Sequence, residues 1–311
     1  GKRPGPNRRD PPAMTAQRGF SAGFVTFVGC PNVGKSTLMN ALVGDKVAIT
    51  SSKPQTTRMA IRGIVHREHG QIIIVDTPGV HRPRTLLGQR LNDVVSHTLG
   101  EVDIIAMCVP ATEKVGPGDR FIAQSIMEYP RALKIALVTK TDAASNAMIA
   151  ERLMEVDELG DWASIIPVSG LKGSQLDVLV KEILALLPES EALYDGEATT
   201  EQSEETRIAE LIREATLEGV SDELPHSIAV TVDEMTERDD GLLHIFANLW
   251  VERDSQKGII IGHRGSKLKA IGSEARAGIE ELLGRRVYLA LHVKVSKEWQ
   301  RDSKKLDKLG L

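Results

Sequence analysis

Between residues 22 and 187 the chain alternates short apolar runs with longer amphipathic stretches. The runs FVTFVG (24–29), IIIVD (72–76), IIAMCV (104–109), KIALVT (134–139) and SIIPV (164–168) are continuous rather than alternating. Helical spacing of apolar positions separates most of them, around 36–43, 86–99, 117–128, 146–159 and 174–187. Continuous β-branched runs between amphipathic helices predict a parallel sheet buried on both faces. Residues 59–66, MAIRGIVH, alternate more, as an antiparallel edge strand does. Periodicity then lapses in PESEALYDGEATTEQSEE (188–205), which reads as a linker lying over the surface.

A different pattern follows. A helix over about 206–219 leads to two alternating strands, SIAVTVDEM (227–235) and LLHIFANLWVE (242–252), joined by the turn-rich ERDDG. Two helices flank Gly262–Gly265. VYLALHVKV (287–295) then alternates strictly, sending Val287, Leu289, Leu291, Val293 and Val295 to a core. A basic amphipathic helix over about 298–309 completes the order α-β-β-α-GxxG-α-β-α. The pattern divides the chain into a tail (1–20), an α/β domain (21–187), the linker (188–205) and an α+β domain (206–311), with no internal repeat.

Composition changes little in this picture and charge changes more. The 311 residues, 41% hydrophobic and 26% charged, suit two ordinary globular domains. Cys30 and Cys108 give no disulfide framework, which fits a reducing cytoplasm. No apolar stretch approaches the roughly 20 residues that span a bilayer. The opening GKRPGPNRRDPPAMTAQRG is basic and Pro-rich without an apolar core, a disordered tail rather than a signal peptide. Met14 is either an internal residue or a native start. The net charge of −4 argues against a polyanion partner, but its distribution does not. Residues 201–256 carry 4 Lys+Arg against 15 Asp+Glu, whereas 257–308 carry 13 against 6. A local field of that sign attracts a polyanion.

The α/β region carries phosphate chemistry. Gly29-Cys-Pro-Asn-Val-Gly34-Lys35-Ser36 fits GxxxxGK[ST] and sits between the first apolar run and the first helix. A chance Gly-rich turn would lack that strand–loop–helix setting. Backbone N–H groups from Gly29 to Gly34, Asn32 and Val33 included, curl around phosphates, and the helix adds its positive end. Lys35 supplies a point charge between the β- and γ-phosphates, Ser36 a hydroxyl for Mg²⁺, and Thr37 a contact to the α-phosphate. Asp76-Thr-Pro-Gly79 ends a later strand: Asp76 holds Mg²⁺ through a water, and the Gly79 N–H senses a γ-phosphate. Between these motifs lies the polar SSKPQTTR (51–58). A threonine there, Thr57 in preference to Thr56, ligates Mg²⁺ only when the γ-phosphate is present, which makes the loop a switch. A plain surface loop is the alternative.

The base is chosen by Thr139-Lys140-Thr-Asp142. The Asp142 carboxylate accepts from N1–H and the 2-amino group of guanine, a pairing adenine does not offer. Lys140 packs its stem along the purine. Val168-Ser169-Gly170-Leu-Lys172 supports Asp142 and offers a backbone N–H to guanine O6. The first of two GxxG matches, Gly170–Gly173, thereby belongs to the nucleotide site.

GxPNVGKST, PQTTR, DTPG and TKxD, in this order, resemble the translation-factor-related GTPases and in particular the Era subfamily. The α-β-β-α-GxxG-α-β order resembles a type II KH domain, so the likeness covers about 22 to 309. It implies a P-loop GTPase domain, slow turnover with Mg²⁺, and a switch controlling RNA binding. Val80 follows Gly79 where many GTPases carry a water-positioning Gln, and an apolar side chain cannot orient water. Asn32 matches the asparagine some relatives use to bind potassium; the alternative is that it only shapes the loop. Two positions depart from the family pattern: Thr139 replaces an Asn and Gly170 replaces an Ala.

In a KH domain the GxxG loop clamps the backbone of a few single-stranded nucleotides. Gly262 and Gly265 permit close approach, His263 and Arg264 project between them, and Lys257, Lys267 and Lys269 add charge. Ile260 and Ile261 precede the loop, one lining the groove under the bases and one packing inward; Ile260 is placed among the RNA contacts. Arg301, Lys304, Lys305 and Lys308 extend the track. The resemblance implies binding near the 3′ end of small-subunit ribosomal RNA during assembly of the small ribosomal subunit. Membrane association attributed to the family would rest here on the basic helix alone, as a weak peripheral contact at the inner face of the cell membrane. A monomer is expected.

Overall fold

The computed structural model describes residues 19–48, 58, 60–78, 84–200, 202–220, 224 and 227–311. In chain order the first domain contains β1 (Ser21–Val28), α1 (Lys35–Val43), β2 (Ile61–Arg67), β3 (Gly70–Asp76), α2 (Leu86–Glu101), β4 (Ile104–Pro110), α3 (Pro117–Ile126), β5 (Leu133–Thr139), α4 (Asn146–Asp157), β6 (Ser164–Pro167) and α5 (Leu176–Leu186). The six strands form one sheet in the order β2-β3-β1-β4-β5-β6. Every neighbour is parallel except β2, which pairs antiparallel with β3. Each residue of β3 and β4 is buried, because helices cover both faces. That is why these strands are written as continuous apolar runs. The strand order reverses beside β1, and the loops leaving β1, β3 and β5 open at the same edge, where ligands of such sheets bind.

The second domain contains α6 (Glu204–Gly219), β7 (Ala229–Glu237), β8 (Leu243–Val251), α7 (Asp254–Ile261), α8 (Ser266–Leu283), β9 (Val287–Val295) and α9 (Ser303–Leu309). Its sheet runs β7-β8-β9, with β8 antiparallel to β7 and parallel to β9. Val287, Leu289, Leu291, Val293 and Val295 face the helices, in one cluster with Ile208, Ile271 and Ile279. The continuous closing helix expected over 298–309 is instead a 3₁₀ turn, Trp299–Arg301, followed by the short α9. Glu298 adopts φ 51° and Asp302 caps α9, accepting from the N–H of Lys304 (2.9 Å) and Lys305 (3.2 Å). These two residues break the helix that composition favours.

Segment 188–200 is more than a tether. The Ala22 N–H donates to Pro188 O and the Ile64 N–H to Thr199 O, 3.2 and 2.9 Å. Gln71, 1% exposed, accepts from the N–H of Leu193 (2.8 Å) and Tyr194 (3.1 Å) and donates to Tyr194 O (2.9 Å). Gln71→Ala is expected to cost about 2 kcal/mol, since both amides lose their partner. Hydrogen exchange over 189–198 should accelerate selectively; unchanged protection would show that the segment is held by other bonds.

The domains meet on two sides. Asp45 accepts from Arg207 at 3.3 Å, and Lys46 pairs with Glu214. Elsewhere Leu87 and Leu91 of α2 pack with Ala229, Trp299 and Leu306 in a cluster common to both domains. Arg90 of α2 donates to Asp307 and Ser303, each at 2.9 Å. Among the described residues no helix is long and apolar enough to cross a membrane.

Candidate functional site

The loop between β1 and α1 is shaped by tight approach. A Cβ on Gly29 would meet the carbonyl O of Cys108 at 2.7 Å, so only glycine fits against β4. Asn32 at φ 63° and Gly34 at φ 92° turn the chain into α1; asparagine and glycine are the residues that adopt such angles most readily. Lys35 Nζ donates to the carbonyls of Gly29 and Cys30, each at 3.1 Å, and so points across the mouth of the loop. Burial lowers its pKa, so an incoming phosphate would favour the ammonium form. Burial and nearby Asp119 raise the Cys30 thiol to about 11; it donates to Asp119 Oδ1 at 3.5 Å.

Ser36 Oγ donates to Asp76 Oδ2 at 3.3 Å, bringing a hydroxyl and a buried carboxylate together from α1 and β3. A hydroxyl and a carboxylate side by side are the kind of oxygen donors that fit Mg²⁺. Thr37 lies beside them in the first turn of α1. Thr57 and Gly79, expected to sense the γ-phosphate, lie outside the described residues, as do Val80 and residues 1–18 of the tail.

The base-reading motifs converge on the same loop. Thr139, at the end of β5, donates through Oγ1 to Val33 O at 2.7 Å. The threonine that departs from the family pattern therefore still braces the phosphate loop. Lys140 adopts φ 56° and donates to Asn32 O, which lays its stem across the loop. Asp142 is exposed, and its Oδ1 accepts from buried Ser169 Oγ at 2.7 Å. Ser169 Oγ in turn accepts from the Lys172 N–H at 3.0 Å. One Asp142 oxygen is thus oriented from behind while the side chain stays open to a ligand. A Cβ on Gly170 would lie 3.1 Å from both N and Cα of Leu38, so glycine lets this loop press on α1.

In the second domain Gly262 (φ 73°), Arg264 (φ 52°) and Gly265 (φ 74°) form the turn between α7 and α8. A Cβ on Gly262 would meet Lys267 Cβ at 2.7 Å. His263 and Arg264 are exposed, as is Lys269; Lys257 and Lys267 are partly so. Ile260 is 0% exposed and packs in the core, so it cannot touch RNA. Ile261 is only partly buried and packs against the edge of the same core.

Two family models match the chain: one described as a 50S ribosome-binding GTPase, over residues 24–140, and a KH domain over 223–300. The GTPase Era of Nocardioides sp. is 57% identical over 304 residues, covering 94% of this chain and 97% of its own. The chain belongs to the Era family of GTPases. The GTPase Era of Streptomyces coelicolor is also 57% identical, over 96% of each chain. Aquifex aeolicus Era bound to GDP·AlF4⁻ superposes with TM-score 0.89 at 37% identity, covering 94% of this chain and 99% of that one. Era in complex with MgGDPNP and nucleotides 1506–1542 of 16S ribosomal RNA superposes with TM-score 0.88 at 38% identity, with the same coverage.

Two residues of this Era chain matter more than their sequence setting suggests. Arg58 ends the PQTTR motif; it is 4% exposed, donates to Ile228 O of the second domain, and lies 5.6 Å over the Trp299 ring. Trp299 sits in a charged, polar stretch, and that incongruity is the one sequence signal of its burial.

Proposed function

We propose that this protein is a GTP-operated switch that binds single-stranded RNA near the 3′ end of small-subunit ribosomal RNA, in assembly of the small ribosomal subunit. The phosphate loop binds GTP, Lys35 places its charge between the β- and γ-phosphates, and Asp142 selects guanine. Ser36 and Asp76 are the described residues that would hold Mg²⁺, which when bound neutralises charge building on the phosphate oxygens. With Val80 in place of a water-orienting side chain, hydrolysis is slow and lets each state persist.

The observation that carries the switch is the shared anchorage of Arg58 and α2. Arg58 ends the PQTTR motif, and the DTPG motif precedes α2 in the sequence. Arg58 and Leu87 and Leu91 of α2 all contact the Trp299–Ala229–Leu306 cluster. A γ-phosphate that reorganises either segment therefore shifts the seat of the KH domain. Single-stranded RNA affinity is expected to differ at least about fivefold among the GTP-analogue, GDP and nucleotide-free states. Arg58→Ala should shrink that difference below about twofold while leaving GTP affinity in place. Equal RNA affinity in all three states of the wild type would overturn the switch.

A further inference from the structure

The KH sheet has a second face. Ile245, Ala247 and Leu249 of β8 turn toward the helices, so His244, Phe246, Asn248 and Trp250 turn away. The Trp250 end is covered, because that residue packs into the interdomain cluster. The other end carries an aromatic group: the His244 ring lies 4.8 Å from Tyr288 and 6.4 Å from Phe246. Tyr288, directly opposite His244 on β9, is 49% exposed. His244 Nδ1 is buried and has no hydrogen-bond partner among the described residues, a state native structures seldom leave unexplained.

Charge decides what such a surface would bind. β9 is one of the two edge strands of the sheet, and every charged residue from 285 to 297 is basic. Arg286, His292 and Lys294 are exposed along it. The acids of this face, Asp233 and Glu234, lie across the sheet on β7. Glu234 stands opposite Phe246, so a polyanion is steered to the β9 side, where Tyr288 stands with the His244 ring of β8 beside it. A cation-lined strand beside stacking rings matches single-stranded nucleic acid, whose phosphates and bases need those two partners. β9 also packs against α7 and α8, which carry the GxxG turn. A strand leaving that turn reaches the outer face by crossing one unpaired edge.

We infer that the outer face around Tyr288, His244 and Phe246 is a second contact for the same RNA, stacking bases that lie beyond the nucleotides held at Gly262–Gly265. This rests on the RNA-binding function proposed above and extends it.

The test uses the full chain and two unstructured RNA probes sharing one sequence, a 5-mer and a 16-mer, with affinity read by fluorescence anisotropy. Wild type should bind the 16-mer at least tenfold more tightly. Tyr288→Ala should weaken the 16-mer about tenfold, leave the 5-mer within twofold, and leave GTP hydrolysis and melting temperature unchanged. Tyr288→Trp should restore binding of the 16-mer. Equal loss on both probes, or no loss on either, would overturn the second contact, the latter outcome leaving the face to a protein partner. The GxxG reading is tested separately by His263→Asp with Arg264→Asp, which should abolish binding of both probes. If that double variant binds normally, the primary RNA reading fails whatever Tyr288 does.

Discussion

Asp142→Asn should weaken GTP binding by roughly a hundredfold to a thousandfold and create affinity for xanthosine triphosphate. The carboxylate accepts two hydrogen bonds from guanine, and bonds to a charged group contribute about 1.5–3 kcal/mol each. An amide turns one acceptor into a donor, which opposes the 2-amino group of guanine and matches the 2-oxo group of xanthine. The geometry supports a clean exchange. Ser169 Oγ donates to Asp142 Oδ1 at 2.7 Å, and the same hydroxyl can donate to the asparagine oxygen. That bond leaves the new NH₂ facing the ligand. Isothermal titration with both nucleotides measures the switch. Loss of GTP binding without gain of xanthosine triphosphate would mean that the side chain no longer points at the base.

Trp299→Ala should be the most destabilising single change in the second domain. The ring is 0% exposed, its Nε1–H donates to Ser227 O at 3.2 Å, and it packs with Leu87, Leu91, Ala229 and Leu306. Removing a buried Trp costs about 3–5 kcal/mol, and here it also leaves a buried carbonyl without its donor. For a domain of this size the melting transition should fall by more than about 10 °C. Calorimetry should show the loss confined to the second domain, with GTP affinity within about twofold of wild type. Trp299→Phe should recover most of the stability, since packing returns without the hydrogen bond. A melting profile unchanged by the alanine would refute the central place given to this cluster.

The parts of the fold that sequence reveals are those governed by short-range rules. IIIVD and IIAMCV read as buried parallel strands because both faces are covered, and GxPNVGKS reads as a phosphate loop because its glycines are geometrically required. Asp142 and Ser169, 27 positions apart, belong to two separate short motifs, and a 2.7 Å hydrogen bond joins them. Other features depend on what lies across space. Whether Ile260 or Ile261 faces inward turns on the rotation of α7 against β9, which no local spacing sets. The split at Glu298–Asp302 arises because Trp299 must reach the other domain. Arg58 sits in a recognisable motif, yet nothing around it announces a carbonyl 170 positions away. Gln71 hides inside an apolar strand, a polar residue with no visible partner until the linker folds back over it.

That returning linker has a consequence for the sheet it touches. β2 is an outer strand, and Gly63 and Ile64 turn backbone groups away from β3 toward Thr200 and Thr199. Left bare, such an edge is a template for pairing with another chain. The tether to the RNA-binding domain thus doubles as a selvedge, keeping the GTPase sheet from being extended by a neighbour. A GTPase fragment cut at residue 187 would lose that border, whereas one cut at 200 would carry it along.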